Sequence, residues 1–268
     1  MKNSHRRISA LIALIAILIF PLSSLAAESN IESSTKKKGV SWSKVLTQSG
    51  LFLTMQSGVR VIYEEETRRD MSGPFFKDYF ESVRGLHGWD DGDPFAVNYL
   101  GHPWMGAVAG RIFVQNDPAG RDFMFSNEKL YWKSRLKALG WSAVYSTTFE
   151  LSPMGEAALG NIGGEPWPDG MTYGDLVVTP VMGTVILITE DLADQYVLRW
   201  LEQRTTSIYL NAATRTILNP ARSVANLFRF KWPWHRDSRY SLRMNRQMRQ
   251  SEADNHRDQT GSLADYPK

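Results

Sequence analysis

The stretch Asn98-Tyr99-Leu100-Gly101-His102-Pro103-Trp104-Met105-Gly106-Ala107-Val108-Ala109-Gly110-Arg111 decides how this chain reads. Within it Asn98, His102, Gly106 and Gly110 recur every fourth residue. Residues at that spacing lie nearly above one another on a helix and form one ridge. Two further apolar stretches carry such a ridge. One holds Ser134, Ala138, Ser142, Ser146 and Glu150; the other holds Asp175, Thr179 and Gly183, with Leu187 ending the series before Asp191. Small residues let helix backbones approach closely, and the polar members then need partners. The pattern predicts an all-α fold, a compact helical bundle with kinked helices and a polar interior stripe. No β-hairpin signal of note and no internal repeat competes with it.

Working outward, Pro103 and Pro180 each remove a backbone donor, so both helices are expected to bend there. At Pro103 the bend frees a carbonyl near Tyr99, beside His102. Asp93-Pro94 offers a cap followed by proline at the first helical position. A turn at Asn116 to Arg121 leads to a helix from about Asn127 to Glu150, capped by Ser126. The short connection makes these two helices antiparallel neighbours. Counting from the turn sets Gly110 beside Ser134, Gly106 beside Ala138, His102 beside Ser142 and Asn98 beside Ser146, to about one helical turn.

Leu151 to Gly174 reads as a long loop, with Asp175 as the cap of a helix from Leu176 to about Gln203. The run Val185-Ile186-Leu187-Ile188 is apolar all round, so the polar stripe should be confined to that helix's first turns. Asn219-Pro220 caps a short helix, Ala221 to Phe230. Upstream, Ser41 to Arg60 is a helix with Trp42, Val45, Leu46, Phe52 and Leu53 as apolar contacts. Another starts at Pro74, with Ser72 or Gly73 as cap. Its face of Phe75, Phe76, Tyr79, Phe80, Val83 and Leu86 suits either a core or a membrane interface.

The ends read differently. Lys2, Arg6 and Arg7, the apolar run Ile8 to Phe20 and the exit Ser23-Ser24-Leu25-Ala26-Ala27 form a secretory signal peptide over 1–27. Residues 28–40 read as a flexible linker, 41–230 as the helical domain, and 231–268 as a disordered basic and polar tail. The net charge of +3 equals the three cations of the leader, so the remainder is near neutral and nucleic acid is not an expected partner. With no cysteine, disulfides, thiolate metal sites and lipoprotein attachment are excluded, and export fits a bacterial periplasm.

Among residues able to carry chemistry, His102 stands out for its polar companions at helical spacing. An imidazole beside carboxylates serves as general base, proton shuttle or metal ligand. Glu150 and Asp175 complete the candidate catalytic set. Asn98, Arg111, Ser142, Ser146 and Thr179 are candidate binding residues. The structural alternative stays open: His102 and Asn98 satisfying groups freed by Pro103, Asp175 capping its helix. No Gly-x-Ser-x-Gly elbow surrounds Ser142 or Ser146. His102, Glu150, Glu190 and Asp191 make a carboxylate-rich set, but no paired Glu-x-x-His motif occurs, so neither metal nor cofactor is expected. Arg111 interrupts an apolar run and calls for an acid on a neighbouring helix. The segment Arg229-Phe230-Lys231-Trp232-Pro233-Trp234-His235-Arg236 suits anionic headgroups or packing on the bundle equally.

Asp93, the block Asn98-Tyr99-Leu100-Gly101-His102-Pro103, Gly106 and Arg111 together resemble the signature of an uncharacterised bacterial family, domain of unknown function 3943. Ser142, Glu150, Asp175-Leu176-Val177-Val178-Thr179-Pro180 with Gly183, and Asn219-Pro220-Ala221-Arg222 resemble its later blocks. The resemblance covers roughly Asp91 to Leu227. Thr184 to Glu190 departs from the small-residue-plus-Glu pattern, which leaves Glu190 without an expected role. The resemblance implies an exported envelope protein and carries no activity.

The expectation is therefore an exported cell-envelope protein, periplasmic and peripheral to the outer or inner membrane. Its role would be structural or lipid-related, with membrane lipid or another envelope component as partner. The alternative is an envelope hydrolase or acyltransferase, with His102 as base, Glu150 or Asp175 as orienting acid and Asn98 donating to developing negative charge.

Overall fold

The computed structural model describes residues 39–71, 74–86, 88–89, 95–159, 172–205 and 207–237. The expected leader, nearly all of the linker, the caps at Ser72, Gly73 and Asp93-Pro94, and the tail beyond 237 lie outside them. Among the described residues the fold is all-α, with no strand. The helices are α1 (Trp42–Tyr63), α2 (Glu65–Asp70), α3 (Phe75–Arg84), α4 (His102–Asn116), α5 (Lys129–Leu151), α6 (Glu156–Leu159), α7 (Tyr173–Leu192), α8 (Arg199–Arg204), α9 (Ile208–Leu218) and α10 (Pro220–Leu227). Two π-helical segments, Val97–Gly101 and Ala193–Leu198, lead into α4 and join α7 to α8.

Helix α4 is central because its sequence offers water almost nothing. Every residue from Gly106 to Asn116 is buried, and α1, α5, α7 and α10 all pack on it. Phe52, Val108, Ile112, Tyr145, Phe149, Ala225 and Phe228 share one apolar cluster around it. A smaller cluster joins Val45, Phe113, Val114, Ala138 and Leu187. The glycine ridges are where the backbones touch. A Cβ at Gly183 would sit 2.7 Å from the Ala107 nitrogen and 2.8 Å from the Pro103 oxygen. Gly106 in turn lies against the Thr179 carbonyl.

The α4–α5 pairing is antiparallel as expected, but its register is one turn further along. Ser142 Oγ donates to the Gly106 carbonyl at 3.0 Å, and Gly110 faces Ala138. The reason is the turn. Gly120 folds back onto Ser134, where an added Cβ would be 2.9 Å from the serine Cβ. The connection therefore occupies the place that direct counting assigns to Gly110.

The expected breaks at proline are absorbed more gently, and the kinks are modest. Before Pro103 the backbone widens into the π segment, and the His102 N–H bonds the Val97 carbonyl. One extra residue in the turn accommodates the missing donor, a device that recurs near functional sites. Helix α7 runs on through Pro180.

Two caps differ from expectation. Helix α7 begins at Tyr173 with Thr172 as its cap. Asp175 sits in the first turn, where the helix dipole favours a carboxylate, and accepts from Thr172 Oγ1 at 3.5 Å. Helix α5 is preceded by Glu128 rather than capped by Ser126. The polar stripe of α7 also continues past Leu187 and into the following π segment: Glu190, Asp191 and, beyond the end of α7, Asp194 are buried. Gly110 on α4 makes room for Leu187, whose Cδ1 would lie 3.1 Å from a Cβ there. The next residue, Arg111, then requires acids.

Residues 231–237, expected as the start of a disordered tail, are packed. Asn226 Nδ2 donates to the carbonyls of Pro233 and His235 at 2.9 and 3.1 Å. Arg236 is buried and donates to Asp194 at 3.2 Å. On α3, Tyr79 bonds the Leu151 carbonyl, while Phe76 and Phe80 remain exposed.

Candidate functional site

Three helices deliver His102, Glu150 and Asp175 to one place. The π segment sets His102 at the start of α4, Glu150 lies in the last turn of α5, and Asp175 lies in the first turn of α7. All three are buried. His102 Nδ1 stands 3.6 Å from Glu150 Oε1. One ligand-capable atom from each of the three residues lies within 4.8 Å of the others. Phe149 packs its edge against the imidazole, with ring centroids 6.0 Å apart. Ser146 Oγ donates to the Asp175 carbonyl at 3.1 Å and ties α5 to α7 beside the cluster.

The sequence ridges therefore meet at this cluster, and all five expected binding residues lie on α4, α5, α7 or the π segment that leads into α4. Asn98 is in the π segment, one turn ahead of His102. Thr179 is buried at the α4–α7 crossing, its hydroxyl without a hydrogen-bond partner among the described residues. Ser142 and Ser146 both spend their hydroxyl protons on main-chain carbonyls. A serine nucleophile needs that proton directed at a base, so these serines act here as helix ties.

Arg111 goes elsewhere. It lies about 13 Å further along α4 at helical rise and enters a second, charged interior. Asp191 is fully buried and accepts from Arg111 at 3.0 Å, Arg135 at 2.8 Å, Arg222 at 2.8 Å and the Tyr131 hydroxyl at 3.1 Å. Burial alone would raise its pKa, but the three guanidinium groups hold it below the ordinary aspartate value. Glu190 has fewer partners of that kind, and burial wins: its pKa is raised despite Arg111 and Arg222.

Glu190 nevertheless has a definite task. Its carboxylate accepts the Ala221 and Arg222 N–H groups at 2.6 and 3.1 Å, capping α10. Asn219 occupies the N-cap position as expected, but its side chain makes no cap bond; its amide donates to Asp194 at 3.3 Å. Asp194 also binds Arg222 and Arg236, and Arg215 pairs with Glu202 at 2.7 Å. Most of this network was missed by sequence reasoning. The available signals were Arg111 within an apolar run, and Arg135 directly after a ridge serine. A small pocket beside the network is lined by Arg111, Arg222, Arg229, Arg236, Asp194 and Asp237 among others. Its buried cations already face acids, so it is the weaker candidate site.

Chemically, the two clusters differ. The arginine–aspartate network matches each carboxylate with cations and serves to lock helices. The His102 cluster sets one imidazole among two carboxylates, an arrangement that can move a proton or hold a cation. Compared with family models, curated proteins and solved structures, the chain matches none.

Proposed function

We propose that this chain is an exported cell-envelope protein of the periplasm, associated with a membrane surface and acting in a structural or lipid-related role. The reading draws on the resemblance of the Asn-Tyr-x-Gly-His-Pro block to the domain of unknown function 3943 family. The observation that carries membrane association is the inverted polarity of α7. Its interior face holds Asp175, Thr179, Glu190 and Asp191. Its outer ridge is apolar: Tyr173, Val177, Val181 and Val185 are 51%, 47%, 46% and 49% exposed. Water-facing helices show the reverse arrangement, and an exposed apolar ridge of this kind suits contact with acyl chains. The continuous helical stretch Tyr173–Arg204 is also long and apolar enough, by length and composition alone, to cross a membrane.

The test is flotation with phospholipid vesicles, together with fractionation of the envelope. The wild-type chain is expected to float with vesicles and to stay with membranes at low salt. Val177→Asp with Val181→Asp should weaken vesicle partitioning at least about tenfold, since each valine loses apolar burial. The melting temperature should hardly move, because both positions face outward. A wild-type protein recovered wholly in the soluble periplasmic extract would sink the proposal.

A second reading, an envelope hydrolase or acyltransferase, is favoured by the meeting of His102, Glu150 and Asp175 from three helices. On it, His102→Ala abolishes rescue of a deletion strain while the melting temperature is unchanged. Parallel loss of rescue and stability would instead assign His102 to packing.

A further inference from the structure

We infer that His102, Glu150 and Asp175 form a binding site for one divalent transition-metal ion. The geometry comes first. Metal–ligand bonds of about 2.0–2.2 Å put tetrahedral ligand atoms about 3.4 Å apart. The His102–Glu150 separation is 3.6 Å, and the set of three closes within 4.8 Å. Asp175 lies inside the same 4.8 Å limit from a third helix.

The surroundings are those of a prepared site. Phe149 orients the imidazole ring. Ser146 holds the main chain of Asp175, and Ser142 holds that of Gly106, one turn from His102. Such outer contacts fix ligand direction before the ion arrives. One nitrogen and two carboxylate oxygens suit Zn²⁺, Mn²⁺ or Fe²⁺; Ca²⁺ takes six to eight oxygens, more than three residues supply. Three protein ligands leave coordination positions open, as in sites that bind water or substrate.

No Glu-x-x-His motif announces this site because its donors come from three separate helices. Spacing within one helix cannot reveal them. The inference shares residues with the hydrolase reading but stands on donor geometry alone, so metal binding without hydrolysis would uphold it.

The experiment uses the full chain, stripped with chelator and titrated by calorimetry with Zn²⁺ and with Mn²⁺. The expected result is one equivalent bound per chain and a melting temperature that rises with metal and falls with chelator. Glu150→Gln, Asp175→Asn and His102→Gln keep side-chain volume, and each should weaken binding at least about 100-fold. A wild-type chain that takes up less than one equivalent of either ion overturns the inference. So does equal binding by every folded variant of the set. Should one substitution prevent folding, the wild-type stoichiometry and the remaining variants decide.

Discussion

Replacing Asp191 with alanine is expected to destabilise the fold by about 3–5 kcal/mol, because it leaves buried cations without their counter-charge. Arg111, Arg135 and Arg222 all converge on that carboxylate, from α4, α5 and α10. The loss would be a large fraction of the stability of an ordinary domain, about 5–15 kcal/mol. Denaturant titration measures it; a loss below about 1 kcal/mol would mean that water or another acid replaces the carboxylate. Asp191→Asn keeps the shape and removes the charge, so it should cost nearly as much.

The pH dependence of this network has two opposing parts. Asp191 has a folded pKa below its unfolded value. Its stabilisation is complete above the unfolded carboxylate range and is lost as pH falls through the lower folded value. Glu190 has a raised folded pKa. Its contribution is full below the unfolded value and is lost as pH rises through the folded one. Substituting Asp191 should therefore flatten the acid limb of the stability profile, and substituting Glu190 should alter the limb just above it.

The second large effect is expected at the α4–α7 crossing. In Gly183→Ala the new methyl would sit 2.7 Å from the Ala107 nitrogen and 2.8 Å from the Pro103 oxygen. Those are backbone atoms of a packed helix and cannot swing aside. The cost should reach about 3 kcal/mol or more, the upper range for overpacking. The same displacement would move His102 away from Asp175, so Zn²⁺ uptake should fall in parallel. Gly140→Ala is the counterpart. Nothing lies within 4 Å of a Cβ there, and the position is an exposed helix interior. That variant should gain about 0.5–1 kcal/mol from lost chain entropy. Opposite signs for two Gly→Ala changes would tie the penalty to the crossing and separate it from helix propensity.

The clarity of the sequence varied with the range of the interaction. The ridges at four-residue spacing single out His102, Glu150 and Asp175, because one helix's periodicity is a local property. The α4–α5 register came out one turn away, since the turn's own packing of Gly120 on Ser134 is invisible to counting. The apolar run Val185 to Ile188 concealed the return of polarity at Glu190, Asp191 and Asp194. Arg111 announced that an acid was needed but not which one. Asp191 has three arginine partners, spread over separate helices, and no spacing rule links them.

What the chain determined by itself was helix content, the faces that must be buried, and the residues whose polarity would be costly inside. Those follow from backbone periodicity and from transfer free energy, which act residue by residue. Tertiary structure alone decided the partners: which carboxylate met His102, which arginines met Asp191, and that Glu190 would cap α10. Such pairings depend on how rigid helices cross, and a crossing is set by close contact of glycines and backbone atoms far apart in sequence.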